Sequence, residues 1–277
     1  DGAHSLLFPA SGYLARLSPA MLLAGAADPD RLERAPWLVR SHALRVVADL
    51  ASLEAASPDR MPAALAARAF LGVGAPDAAL SMPAGLSLPT LPRAEGELRQ
   101  LADALGPPVR TLLTGSAASE ARLAGRDPAS FGGIAFATHG LAGGEVAGLD
   151  EPALLLAAGG GGDGLLTASE IARMRLAAEW VILSACNTAA GEGAGAPSYS
   201  GLARAFPAAG AGSLMLSHWR VRDDAAAFLS VETLRHAAAG ASRAEALRQA
   251  QLALIARTDM PQADHPALWA PFVILEN

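Results

Sequence analysis

The sequence lacks the residues that define several common classes of protein. Its 277 residues include a single cysteine, Cys186, so no internal disulfide can form and nothing ties the chain to an oxidising compartment. The six histidines have no close pairs, and together with one cysteine they offer no metal cluster. The G-x-S-x-G elbow of many serine hydrolases is also missing. We therefore predict a protein without a disulfide, a metal centre or a serine nucleophile.

Charge and hydropathy exclude two further roles. The formal net charge is −6 and the pI is about 5.5, which argues against nucleic-acid binding as the main task. No apolar run reaches the roughly 20 residues that a membrane-spanning helix needs. The first residues contain neither a methionine nor a signal-peptide pattern. We expect a cytoplasmic protein with no nucleic-acid or membrane partner, and we expect this chain to be cut from a longer one.

Short apolar runs alternate with helix-like segments along most of the sequence. Leucines on one helical face predict an amphipathic helix over 94–105, and capping boxes at 167–170 and 242–245 each open a further helix. This alternation predicts right-handed crossovers between parallel strands. The expected fold class is α/β, with a mostly parallel central sheet, helices on both of its faces and a smaller N-terminal α/β portion.

Two of the predicted strands end in residues that can work together as a cysteine-nucleophile site. The apolar run 181–185 leads into Cys186, and the run 133–138 leads into His139. Open α/β sheets carry their chemistry at the carboxyl ends of strands, and a thiol becomes an effective nucleophile when an imidazole is nearby. Purely structural roles fit the same two residues: the cysteine could be buried in the core, and the histidine could cap or pack.

A glycine-rich stretch suggests a rival function. Gly159, Gly161 and Gly164 fit the pattern G-x-G-x-x-G, follow an apolar run at 153–157 and precede a capped helix, which is the context of a dinucleotide-binding turn. That motif also needs an acidic residue at the end of the next strand, and the next strand ends in Cys186. A nucleotide-binding Rossmann-like domain is therefore the less favoured alternative.

Several segments, taken in order, form a specific set although each is weak alone. They are 12–19, 135–140, 163–171, 184–188, 201–206, 209–211, 217–224 and 265–272. The set spans nearly the whole chain and resembles the CHAT family, the caspase-like cysteine peptidases of the caspase/separase clan. The His-Gly pair in 135–140 and the Ser-Ala-Cys-Asn-Thr sequence in 184–188 carry most of this resemblance.

The resemblance implies a caspase-like fold and a cysteine endopeptidase that needs no cofactor or metal. It implies that Cys186 attacks a peptide carbonyl and that His139 assists proton transfer and protonates the leaving amine. The backbone N–H groups of Gly140 and Cys186 would stabilise the oxyanion. A catalytically silent caspase-like scaffold, which only binds partner proteins, is the alternative within the same fold.

The resemblance also implies the position of the substrate cleft. Trp219 and its neighbour Arg220 follow a strand whose equivalent in caspase relatives contacts the substrate. Asp223 lies nearby in sequence and Asp77 ends an earlier strand, so either is a candidate for an acidic pocket that selects Arg or Lys. Asp223 fits equally well as the cap of the following helix. Glu97 is interpreted as a solvated helix residue.

The family further suggests how the domain is organised and used. We expect one CHAT domain over 1–277, as the C-terminal part of a longer protein, with 1–66 as an N-terminal subregion and 67–277 as the catalytic core. The implied partners are a protein or peptide substrate, such as a gasdermin-like pore former, and a regulatory sensing module or repeat domain in the same or a partner chain. The implied setting is bacterial defence or regulated cell death. The glycine-rich loop 191–201 is a candidate for ordering during activation.

Overall fold

Eleven strands and seven α-helices are present in the part of the chain that the computed structural model describes, residues 5–9, 17–47, 65, 67–76, 88, 90–106, 109–184 and 200–276. The strands are β1 (Ser5–Pro9), β2 (Ala43–Val47), β3 (Ala69–Gly74), β4 (Arg110–Thr114), β5 (Phe131–Ala137), β6 (Gly140–Leu141), β7 (Ala153–Leu155), β8 (Leu165–Thr167), β9 (Trp180–Ser184), β10 (Ser213–Ser217) and β11 (Phe272–Glu276). The helices are α1 (Ala94–Leu105), α2 (Glu120–Ala124), α3 (Ala168–Arg173), α4 (Gly201–Ala208), α5 (Asp223–Ala238), α6 (Arg243–Ile255) and α7 (Pro266–Trp269). Short 3-10 helices lie at Pro19–Met21, Leu32–Arg34, Leu38–Arg40, Gly115–Ala117 and Pro128–Ser130.

The larger sheet has eight strands in the order β1-β2-β11-β10-β9-β5-β3-β4. Strands β10, β9, β5, β3 and β4 are parallel to one another, so their carboxyl ends lie along one edge of the sheet. Strand β11 runs antiparallel to β10, and β2 and β1 follow the direction of β11. The predicted mostly parallel sheet is confirmed, with one antiparallel junction that the alternation of strands and helices did not indicate.

Helices cover both faces of this sheet, as predicted. On one face, α1, α5 and α6 bury a leucine-rich core that includes Leu98, Leu229 and Leu247. On the other face, α3 and α4 bury a second core, in which Phe206 packs on Phe136 of β5 with 5.6 Å between ring centroids. Among the residues that the structure describes, no helix is both long and apolar enough to span a bilayer.

The N-terminal portion extends the same sheet and docks on C-terminal elements. Strand β2 pairs with β11, and β1 pairs with β2. Trp37 meets Trp269 edge-on, with 5.4 Å between ring centroids. The guanidinium of Arg248 on α6 donates hydrogen bonds to the carbonyl oxygens of Val39, at 2.9 Å, and Arg40, at 2.7 Å. These contacts bury apolar surface of both portions in one core.

A second sheet, of strands β6, β7 and β8, is antiparallel and separate from the first. Its β7–β8 pair is a hairpin with Leu155 opposite Leu165, and the glycine-rich run connects the two strands. Thr167 and Glu170 form the predicted capping box and begin α3. Strand β8 therefore lies between the glycine-rich run and α3. The nucleotide-binding alternative is wrong in its geometry, because a pyrophosphate site requires the glycine turn to open directly onto a helix N-terminus.

Candidate active site

The histidine and cysteine motifs follow two neighbouring, parallel strands whose ends are level. Strands β5 and β9 pair in register, with Ala137 opposite Ser184. His139 comes two residues after Ala137, and Cys186 comes two residues after Ser184. His139 is half-buried, whereas Cys186 lies outside the described residues. The strands that precede the two motifs are thus adjacent, and they end at the same edge of the sheet.

Strand β7 holds the histidine segment in place from the second sheet. The backbone N–H of Leu155 donates to the carbonyl oxygen of His139 at 2.8 Å. The buried Thr138 hydroxyl donates to the carbonyl oxygen of Leu155 at 2.5 Å. Gly140 is buried and pairs with Leu154 across β6 and β7. The backbone of His139 and the residues before and after it are therefore all held by β7. A catalytic group needs such a fixed position.

A pocket opens beside these strand ends, on the face of the sheet that α1 and α5 cover. Its cavity volume is about 30 Å³, or about 370 Å³ when the surrounding space that is open to solvent is counted. The residues that line it come from both helices, from the strand ends and from the segments beside them. They are Leu91, Ala94, Glu97, Ala137, Thr138, Ser184, Ser217, Val221, Asp223, Ala226 and Phe272. Two carboxyl groups thus share a small cavity at this edge of the sheet.

Glu97 is the residue of this pocket that the sequence interpretation missed. It is only 3% exposed, so its assignment as a solvated helix residue is wrong. The hydroxyl of Ser230 on α5 donates to Glu97 Oε1 at 2.5 Å, and the hydroxyl of Ser184 is a second donor. Burial raises the pKa of Glu97 to about 7, and these two hydrogen bonds partly oppose that rise. The signal was present in the sequence, because Glu97 lies one turn from Ala94 and Leu101 on the apolar face of α1.

Asp223 lines the same pocket from the first turn of α5. The residue at the N-cap of that helix is Arg222, so the alternative interpretation of Asp223 as the cap is wrong. Instead, Asp223 Oδ2 accepts a hydrogen bond from the backbone N–H of Arg93 at 3.2 Å, which joins α5 to the start of α1. Burial raises the pKa of Asp223, while the hydrogen bond from the Arg93 backbone, the charge of Arg93 and the electrostatic effect of His139 act in the opposite direction. Asp223 is therefore electrostatically coupled to His139.

Trp219 and Arg220, which were predicted to contact the substrate, are not among the residues that line the pocket. Trp219 is half-buried and its indole N–H donates to the carbonyl oxygen of Ala267 at 3.0 Å. Arg220 is exposed and forms an ion pair with Glu145 at 3.1 Å. Among the described residues, the pocket wall takes Ser217 and Val221 from this segment instead. Asp77 lies outside the described residues, as does the predicted activation loop apart from its last two positions.

His218 is a second buried titratable group at the end of β10. It is 5% exposed, and neither of its ring nitrogens makes a hydrogen bond to any residue that the structure describes. Burial lowers its pKa to about 4, so the imidazole is neutral at physiological pH. Within the described part of the chain, no group of three or more His, Cys, Asp and Glu side chains is arranged to hold a metal ion.

A mostly parallel, helix-covered sheet with a histidine motif and a cysteine motif after adjacent strands has the architecture of a caspase-like cysteine peptidase. The chain belongs to the CHAT domain family, whose model matches residues 1–277. Comparison with curated protein sequences gave no match.

Two solved structures are similar to this chain at the level of fold. One is the Arg-specific cysteine proteinase gingipain R, at 8% identity and a TM-score of 0.45, with 76% of this chain and 46% of that chain covered. The other is a complex of the pro- and mature domains of RgpB from Porphyromonas gingivalis, at 8% identity and a TM-score of 0.44, with 76% and 47% covered. The chain thus spans less than half the length of these proteins.

Proposed function

We propose that this chain is a cysteine endopeptidase in which Cys186 is the nucleophile and His139 is its proton-transfer partner. The observation that supports this most is the register of β5 and β9. Ala137 and Ser184 are opposite one another, and each is followed two residues later by one member of the dyad. Parallel strands in register bring the residues after them to the same edge of a sheet.

The proposed reaction is acyl transfer. The Cys186 thiolate attacks the peptide carbonyl, the carbon–nitrogen bond breaks, and His139 gives a proton to the leaving amine. Water then attacks the thioester while His139 accepts its proton, and the carbon–sulfur bond breaks to release the carboxylate product and the Cys186 thiolate. The backbone N–H groups of Gly140 and Cys186 are proposed to bind the oxyanion, and such a donor is worth about a hundredfold to a thousandfold in rate.

The proposed substrates are proteins cut after a basic residue. Asp223 lies in a pocket at the catalytic edge and interacts with His139, so a side chain bound there would be next to the reacting carbonyl. Trp219 and Arg220 would contact the substrate at the rim, and Asp77 is a further candidate for the pocket. A gasdermin-like pore former as substrate, a sensing module as regulator and a role in bacterial defence are the biological setting that we propose from membership of the family.

The test is profiling of a peptide library with the wild type, Cys186→Ala and His139→Ala. We expect the wild type to cut after Lys or Arg, Cys186→Ala to be inactive, and His139→Ala to lose about a hundredfold to ten-thousandfold in rate. His236→Ala, in the last turn of α5, is the matched control and should cleave like the wild type.

A cysteine-reactive peptide probe checks the same dyad without turnover. Labelling of the wild type but not of Cys186→Ala supports the peptidase. Absence of both cleavage and labelling, in a folded protein, would support the catalytically silent scaffold instead.

A further inference from the structure

The pocket at the catalytic edge has the composition of a site for a long cationic side chain. Among the described residues that line it, none is basic, and two carry carboxyl groups. Leu91, Val221 and Phe272 provide apolar surface, which suits the methylene stem of Lys or Arg. The carboxyl groups come from different helices, Glu97 from α1 and Asp223 from α5.

We propose that Glu97 is a specificity-determining residue that binds the cationic end of the Lys or Arg side chain preceding the cleaved bond. This inference rests on the proposed peptidase function and names the residue that selects its substrate. Asp223 is the less buried of the two carboxyl groups, whereas Glu97 is only 3% exposed and hydrogen-bonded to Ser184, the last residue of β9. Glu97 is accordingly the floor of the pocket, and Asp223 contributes to its wall.

A purely structural role accounts less well for this placement. A buried carboxyl group is costly unless its charge is compensated, and among the described residues Glu97 has hydroxyl donors but no cationic partner that fixes its charge. A hydrogen bond between α1 and α5 could be made by a neutral side chain at lower cost. The ammonium or guanidinium group of a substrate would compensate the charge directly.

Binding of a cation should therefore be coupled to loss of a proton from Glu97. The pKa of Glu97 is about 7, and a positive charge beside the carboxyl group favours its ionised form. The charged group that acts directly on Glu97 is Asp223, which is in turn influenced by Arg93 and His139. Arg110 of β4 pairs with Asp103 towards the other end of α1. At pH 7, binding should release about half a proton per ligand.

The experiment uses the 277-residue chain with Cys186→Ala, which should bind without cutting, and titration calorimetry with agmatine and n-butylamine as guanidinium and ammonium probes. Measurement in two buffers of different ionisation enthalpy gives the number of protons released. Glu97→Gln should weaken binding by about tenfold or more and abolish proton release. Glu95→Gln, on the same helix and paired with Arg99 at the surface, is the matched control and should change neither.

A second variant keeps the test informative if Glu97→Gln does not fold. Ala226→Leu fills the pocket from α5 without altering either carboxyl group, and it should also abolish binding of both probes. Stronger binding of agmatine assigns the pocket to Arg, and stronger binding of n-butylamine assigns it to Lys. Failure of the wild-type pocket to bind either cation, or binding that Glu97→Gln leaves unchanged, would overturn the proposal.

The peptide library separates this proposal from the proposed function. Cleavage by the wild type with a residue preference that Glu97→Gln leaves intact retains the peptidase and rejects the role of Glu97. Glu97-dependent cation binding without cleavage of any peptide retains the ligand site and rejects the peptidase. Cleavage after Lys or Arg that Glu97→Gln shifts towards neutral residues supports both.

Discussion

Gly74 of β3 packs against Ala137 of β5 so closely that a Cβ atom on Gly74 would overlap the carbonyl oxygen of Ala137. The two residues are paired across the parallel strands, and Ala137 is two residues from His139. Because the obstacle is backbone, Gly74→Ala must push the end of β5 away from β3. We expect it to lower the free energy of unfolding by about 1–3 kcal/mol and to reduce peptidase activity. Denaturant unfolding and cleavage of a fluorogenic peptide measure the two effects.

Gly96→Ala is the control for that substitution. A Cβ atom on Gly96 meets nothing within 4 Å, and the residue lies inside α1. Alanine should stabilise this helix by about 0.5–1 kcal/mol and leave activity unchanged. A Gly74→Ala protein as stable and as active as the wild type would show that the contact does not position the histidine segment.

The fold could be predicted from the sequence more fully than the pocket. Helix α1 has its predicted bounds, and the strands that precede the histidine and the cysteine are both present and are neighbours in the parallel sheet. Apolar periodicity fixes such elements locally. It could not assign the apolar run at 153–157 to a separate antiparallel sheet, because pairing partners are determined by tertiary contacts.

The pocket carboxyl groups illustrate why the site was harder to predict. The interpretation of Glu97 as solvated follows from its residue type, since charged residues are rarely buried. Its position on the apolar face of α1 indicates instead that it is buried, and this indication is correct. The partners that make its burial tolerable, Ser184 and Ser230, come from elements far away in sequence. No local pattern identifies them.

Replacement of Glu97 should change how stability depends on pH. Its pKa is about 7 in the folded protein and 4.5 without burial, so the folded state holds this proton more tightly. The stabilisation from the neutral carboxyl group is fully present below pH 4.5 and is lost as the pH rises through 7. The free energy of unfolding of Glu97→Gln, measured relative to that of the wild type, should therefore increase by up to about 3 kcal/mol from below pH 4.5 to above pH 7.

Thermal or denaturant unfolding of both proteins at the two extremes measures this gain. Any effect of glutamine on packing is the same at both pH values and cancels in the comparison. A difference in stability that does not change with pH would mean that Glu97 titrates in the folded protein as it does in water.

His218 should produce a pH dependence of the opposite sign. Its pKa is about 4 in the folded protein and 6.5 without burial, so the unfolded chain takes up the proton first. The stability associated with the neutral imidazole is present above pH 6.5 and is lost as the pH falls towards 4. His218→Leu should remove this loss, which is about 3 kcal/mol, because leucine fills the buried site without titrating.

The stability difference between His218→Leu and the wild type at high pH isolates the effect of packing. The increase in this stability difference below pH 6.5 then measures the effect of protonating the His218 imidazole. If the wild type loses no more stability than His218→Leu in acid, the imidazole is accessible to water and its burial does not govern its protonation.

Ser230 provides a test of the pocket through a residue that is not part of the proposed dyad. It is fully buried on α5, and its hydroxyl hydrogen bond lowers the pKa of Glu97. Ser230→Ala should raise the pKa of Glu97 further, by about one to two pH units, because a hydrogen bond to a charged group is worth about 1.5–3 kcal/mol. The preference for Lys or Arg over a neutral residue should then develop at a correspondingly higher pH.

The measurement is kcat/KM for two peptides that differ only in Lys or norleucine before the cut, followed from acidic to alkaline pH. Thr233→Val is the matched control, since the buried Thr233 hydroxyl on the same helix makes no hydrogen bond within the described part of the chain and its loss should leave the profile in place. At alkaline pH, where Glu97 is ionised in both proteins, Ser230→Ala and the wild type should prefer Lys to the same extent. A preference lowered equally at every pH would instead indicate that Ser230 shapes the pocket and does not act through the charge of Glu97.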